Sequence, residues 1–214
     1  MPIQIPKCSV LRIAFDWILV AVMAGVFLAS AAMLNPICLR LSPVALAWVL
    51  GYSLTKRFTH LSHLWLGWGL AIAPVGGYLA VAGVWSTPWW FLLLIAGAVA
   101  CWVAGFDILY ALQDESFDRS QGLKSFPVWL GAERAIGVAR TLHIIAIVLL
   151  VAFARTGGSG PFFGGGVAVA AGLLAWEHRL VRVGDYTRLD TAFFTMNGII
   201  SAVVALGALA DVLL

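Results

Sequence analysis

The chain has 214 residues, of which 62% are hydrophobic and 11% charged, with a formal net charge of +3. Soluble domains carry about 25% charged residues, so too few polar side chains exist here to coat a globule, and a soluble enzyme is excluded. The positive charge is small and contains no basic run, which excludes a nucleic-acid partner and leaves a lipid bilayer as the surrounding medium.

About 20 apolar residues cross ~30 Å of hydrocarbon. Apolar runs broken by charge, glycine and proline predict an all-α, polytopic transmembrane bundle of about seven spans, at 11–34, 43–56, 60–82, 88–113, 134–154, 161–181 and 190–213. Residues 1–10, with two prolines and Lys7, form an N-terminal segment, and 11–214 form a single transmembrane domain. No small-residue cleavage pattern follows the first run, so it is expected to be a retained span. The second span, read from Pro43, is the shortest. Pro74, followed by Gly76 and Gly77, is expected to kink the third. Gly157 to Gly166, with Pro161, reads as a flexible loop without a phosphate-cradling sequence after it. Cys8, Cys38 and Cys101 match neither a metal-ligand spacing nor a disulfide framework.

Basic residues orient this layout. With the N-terminus in the cytoplasm, that side collects Lys7, Arg12, Lys56, Arg57, Arg119, Lys124, Arg134, Arg140, Arg179, Arg182 and Arg188, and the far side only Arg40 and Arg155. The positive-inside rule then makes the protein a multi-pass membrane protein with its charged face cytoplasmic, the expected site of chemistry.

Chemistry concentrates around the end of the fourth span. Asp107, Asp114 and Asp118 are spaced so that, at ~100° per residue, they fall within ~20° either side of one helix face. Three converging carboxylates at a bilayer edge call for cations, and hard oxygen ligands at this density suit Mg²⁺ shared with substrate phosphates. Asp114, Glu115, Asp118 and Arg119 also fit the solvated end of a span. Asp107 does not, because it lies within an apolar run, where an acid is a functional hypothesis by default. Lys56 and Arg57, after the second span, offer a point charge and a guanidinium fork for phosphate oxygens, and Lys124 is a third candidate contact. His63, His143 and His178 stand isolated in sequence, and core or interfacial placement is expected for them. Glu177 beside His178, and Asn197 in the last span, are the other polar residues of note.

The string Asp107-x-x-Tyr110-x-x-x-Asp114-x-x-x-Asp118, followed by Gly122-x-Lys124-Ser125, resembles the second aspartate-rich motif of the UbiA family of membrane prenyltransferases. Tyr52-Ser-Leu-Thr-Lys-Arg-Phe-Thr-His60 resembles the Tyr-Pro-x-x-Lys-Arg-x-Thr-His loop of that family, with Ser53 in place of proline. Glu177, His178 and Ala192-Phe-Phe-Thr-Met-Asn-Gly198 are similar to its 4-hydroxybenzoate polyprenyltransferase-like branch, some members of which act on a hydroxynaphthoate in menaquinone assembly.

The resemblance implies a nine-helix fold that binds Mg²⁺ between two aspartate-rich motifs and transfers a polyprenyl group from its diphosphate to an aromatic acid, in ubiquinone or menaquinone biosynthesis. By motif position it assigns Asp107, Asp114 and Asp118 to the metal and to catalysis, and Lys56, Arg57 and Lys124 to the diphosphate. The first motif of the family, Asn-Asp-x-x-Asp-x-x-x-Asp, has no counterpart, since the asparagines are Asn35 and Asn197 and neither begins such a pattern. The resemblance therefore starts at the third helix of the family, and the chain is expected to lack two N-terminal helices. A small transporter or channel lined by Asp107 and the third span, and a non-catalytic assembly partner, are the competing readings. With half a metal site, the 214-residue chain alone is expected to be inactive or nearly so. Robust Mg²⁺-dependent prenylation by the purified chain, with no companion peptide, would overturn this.

Overall fold

The computed structural model describes the backbone of residues 7–184, 186, 189 and 191–214, and the side chains of 15–184, 186, 189 and 194–214. In chain order the helices are α1 (Lys7–Leu34), α2 (Pro36–Phe58), α3 (Ser62–Ala82), α4 (Trp89–Tyr110), the short α5 (Glu115–Ser120) and α6 (Phe126–Leu130), α7 (Ala132–Gly157), α8 (Pro161–Leu180) and α9 (Asn197–Leu213). A 3-10 turn, Ala111–Asp114, joins α4 to α5, and a π-helical turn, Thr191–Met196, leads into α9. The Cys8 and Arg12 side chains, and Arg188 as a whole, lie outside the described residues, whereas Cys38 and Cys101 are free thiols.

The seven long helices pack in the order α1, α2, α3, α4, α7, α8, α9. Six of them are long and apolar enough to cross a membrane. Helix α8 dilutes its apolar run with Gly164, Gly165 and Gly166 and ends on Glu177, His178 and Arg179, yet packs between α7 and α9. Alternating helix directions bring Lys56, Arg57, Arg119, Lys124, Arg134 and Arg179 to one end and leave Arg40 and Arg155 at the other.

Helix α4 sits at the centre: half of its membrane window is buried, against 6% for those of α1 and α2. Small residues make this possible, because small side chains let helix backbones approach closely. A Cβ added at Gly67 of α3 would run into the Ala100 carbonyl of α4, and one at Gly105 into the His143 ring of α7. Helices α2 and α3 are clasped by Trp48 and Trp65, whose rings stack at 4.2 Å. Each indole donates to the backbone carbonyl of the other, at 3.0 and 2.8 Å.

Two sequence expectations are corrected. The second span is not short: α2 begins at Pro36, with Asn35 as its N-cap, the Asn35 side chain accepting from the Cys38 N–H at 3.0 Å. Pro43 lies inside this helix. It cannot donate to the Leu39 carbonyl, and the Ser42 hydroxyl donates there instead at 2.9 Å, so the helix runs on. The same tolerance lets α3 continue through Pro74.

The segment 157–166 is not a flexible loop. Only residues 158–160 separate α7 from α8, and Gly164, Gly165 and Gly166 are helical. The glycines there serve packing: a Cβ at Gly166 would stand 3.0 Å from the Val203 carbonyl of α9. The Asp211 carboxylate, near the end of α9, accepts from the Phe162 and Phe163 N–H groups at 2.9 and 3.0 Å and caps α8. Asp211→Ala is expected to destabilise the fold by about 1 kcal/mol, as loss of a helix cap does, read as a lower midpoint of thermal unfolding in detergent.

Candidate active site

Residues picked out at two distant places in the sequence meet at one end of the bundle. Helix α2 ends on Lys56, Arg57 and Phe58, where the last carbonyls of a helix lack partners. Residue 124 returns to supply them: its N–H donates to the Lys56 carbonyl at 2.7 Å and the Lys124 ammonium to the Phe58 carbonyl at 3.2 Å. A cation is favourable at that helix end. Gly122, at φ 65°, makes the left-handed turn after α5 that sends the chain back toward α2. His60 Nδ1 donates to the Ser125 carbonyl at 3.2 Å, and the ring stacks on Trp129 at a centroid distance of 5.6 Å.

Two of the three aspartates are held by partners from other helices. Asp118 of α5 is buried, its side chain 3% exposed, and Lys56 Nζ donates to its Oδ2 at 2.9 Å. Asp107 Oδ2 accepts from Nδ1 of His63, on α3, at 2.6 Å. The His63 ring is buried, and its Nε2 has no hydrogen-bond partner among the described residues. Asp114, at the junction of the 3-10 turn and α5, is partly exposed, and its carboxylate makes no hydrogen bond or ion pair with a described residue. The Tyr52 phenol of α2 lies within electrostatic range of both Asp107 and Asp118, so these acids border one site.

The expectation that the three acids line one face of a single helix is corrected by this geometry. Helix α4 stops at Tyr110, and a 3-10 turn winds at ~120° per residue instead of ~100°. The three acids therefore sit on three successive elements, Asp107 on α4, Asp114 at the end of the 3-10 turn and Asp118 on α5. Among the described residues, no three His, Cys, Asp or Glu side chains form a ready metal cluster. A Mg²⁺ site of one or two carboxylates completed by phosphate oxygens and water remains compatible, since Asp107 and Asp118 are each engaged through one oxygen and Asp114 through none. Among the cations, Arg57 is exposed and makes no ion pair with a described acid, whereas Lys56 keeps two N–H donors beyond the one given to Asp118.

His63 and His143 are buried, as expected, and packing gives the histidines partners that their sequence spacing does not show. His63 is the partner of Asp107, and His143 meets His178 at 3.0 Å. The His143 Nε2–H donates to the Trp102 carbonyl at 3.3 Å, so its Nδ1 accepts from the Nε2–H of His178. Sequence reasoning missed His63 because its partner is 44 positions away, and a lone polar residue in an apolar span was the one available clue. Asn197 accepts from the Trp102 indole at 2.9 Å, and Glu177 is buried in the last turn of α8.

Residues 11–199 match the sequence profile of the UbiA prenyltransferase family. A 4-hydroxybenzoate octaprenyltransferase of Alkalilimnicola ehrlichii is 33% identical over 84% of this chain and 59% of its own length. Another, of Aromatoleum aromaticum, is 30% identical over 81% of this chain and 59% of its own. The chain thus spans about three-fifths of the length of these curated relatives. Among solved structures, the apo form of a UbiA homolog from Aeropyrum pernix K1 superposes with a TM-score of 0.82 at 34% identity, covering 92% of this chain and 72% of that one.

Removing one partner of a buried ion pair leaves an uncompensated charge. Lys56→Met is expected to destabilise the fold by about 2–3 kcal/mol, and adding Asp118→Asn should recover most of that loss. Unfolding midpoints of the single and double variants in detergent measure the difference.

Proposed function

Because the chain belongs to the UbiA prenyltransferase family, we propose that it takes part in transfer of a polyprenyl group from its diphosphate to an aromatic acid. The acceptor class is that of its relatives named 4-hydroxybenzoate octaprenyltransferase, with a hydroxynaphthoate as the alternative. Residues 11–214 act as one domain of a multi-pass inner-membrane protein, and the charge asymmetry of its loops supports a cytoplasmic active face. The observation that carries this reading is the joining of the end of α2 to the aspartate segment through Lys56 and Asp118. That contact puts cations and carboxylates side by side where a lipid diphosphate would lie, with its tail in the bilayer.

In this reading Arg57 clamps diphosphate oxygens with its fork, and Lys56 adds a point charge through its remaining donors. Lys124 contributes positive potential from its seat on the end of α2. Asp114 and Asp107 are the carboxylates that would hold Mg²⁺, with Asp118 completing the acidic border. His63 orients Asp107, as hydrogen bonds from outside a metal site orient its ligands. When bound, Mg²⁺ supplies Lewis-acid charge to the departing diphosphate. The prenyl C–O bond breaks with its electron pair leaving on the diphosphate, and the basic residues stabilise the charge that develops there. The acceptor ring then forms the new C–C bond and loses a ring proton.

The test is binding of a non-hydrolysable polyprenyl diphosphate analogue by the 214-residue chain, with and without Mg²⁺. Binding is expected to need Mg²⁺, and Asp114→Asn and Arg57→Ala are each expected to weaken it about tenfold or more, the worth of a charge-assisted contact. Binding that ignores both Mg²⁺ and these substitutions would remove the basis for the reading.

A further inference from the structure

Away from the aspartates, α7 and α8 enclose a cavity of about 480 Å³ whose walls are apolar along most of their length and cationic at one end. The wall residues include Ile144, Ile147 and Val148 of α7 and Ala171, Leu174 and Ala175 of α8. Ile144 and Val148 are each 60% exposed, so the cavity is a groove open toward the membrane. Arg140 and Arg179 line it at the end of the bundle that also holds Lys56 and Asp118. Both arginines are exposed, and among the described residues no acid lines the groove and neither arginine has an ion-pair partner. His143 and His178 line it too, the His178 Nε2–H donating to His143 Nδ1 and the His143 Nε2–H to the Trp102 carbonyl.

We propose that this groove binds one anionic phospholipid, its acyl chain along the α7–α8 wall and its phosphate between Arg140 and Arg179. The chemistry of the occupant follows from the two ends. An apolar trough facing hydrocarbon takes an alkyl chain, which a soluble anion lacks. Two guanidinium forks without carboxylates at the level of the headgroups take phosphate oxygens bidentately. A net negative lipid satisfies both arginines, whereas a zwitterionic headgroup brings its own cation into the same space. This assignment is independent of the prenyl-transfer reading, since it uses none of Lys56, Arg57, Asp107, Asp114 or Asp118.

The test uses the 214-residue chain, delipidated in detergent and supplied with phosphatidylglycerol, phosphatidylcholine or inorganic phosphate. Native mass spectrometry reads bound lipid, and the thermal unfolding midpoint reads stabilisation. Phosphatidylglycerol is expected to stay bound as a single lipid and to raise the midpoint, and phosphatidylcholine and inorganic phosphate to do neither. Each arginine near an anionic headgroup is worth about fivefold in affinity, so Arg140→Ala with Arg179→Ala should weaken phosphatidylglycerol binding roughly 30-fold. Ala171→Trp, which leaves both charges in place and fills the trough, should abolish it. The proposal is overturned if phosphatidylcholine binds as tightly, or if both variants retain phosphatidylglycerol unchanged. It is also overturned if Ala171→Trp instead dissociates a dimer of delipidated chains, which would make the groove a contact between copies.

Discussion

Asp118 sits where solvent scarcely reaches it, and an ionised carboxylate in such a place costs several kcal/mol unless a cation accompanies it. The Lys56 ammonium, 2.9 Å away, is that cation. Because Lys56 lies in the last turn of α2 and Asp118 in α5, the pair fastens one end of the bundle to the segment that leaves its central helix. The contacts of Lys124 with the carbonyls of α2, and of His60 with Ser125, follow the same seam. A site built this way has its cations and acids already neighbours, in positions fixed by folding.

The seam is only as well placed as the helices behind it. The Trp48–Trp65 clasp sets α2 against α3, which fixes the height of Lys56 relative to His63. Gly67 then lets α3 touch the backbone of α4 at Ala100, and two turns further along the His63 ring reaches Asp107. On the other side of α4, Gly105 receives the His143 ring, whose contacts continue to His178 and the arginine-edged groove. In hydrocarbon, burial of apolar surface gives helices no reason to associate, so close packing at small residues and hydrogen bonds between helices carry the fold. These same contacts also place the charged groups.

Much of the protein was legible in its sequence. The spans are sums of hydropathy over windows of about 20 residues, and the basic residues divide by the loops they occupy. Asp107, Asp114, Asp118, Lys56, Arg57 and Lys124 announce their chemistry by type and spacing. What was misread depended on single backbone groups. Pro43 looked like a helix start, yet one hydroxyl, from Ser42, carries the helix through it. The glycines of 157–166 looked like a loop, yet they are where α8 presses on α9.

The sequence alone thus determined a membrane-embedded helical bundle and the position along the chain of its acids and cations. Only the tertiary structure decided who pairs with whom: His63 with Asp107 across 44 positions, and Lys56 with Asp118 across 62. It also decided that the acids fall on three successive elements, because a 3-10 turn follows Tyr110. The physical reason is range. Hydropathy and charge are read locally along the chain, whereas an ion pair or a helix contact forms only when distant segments are brought within a few ångströms by packing, and no local property of either partner records the distance.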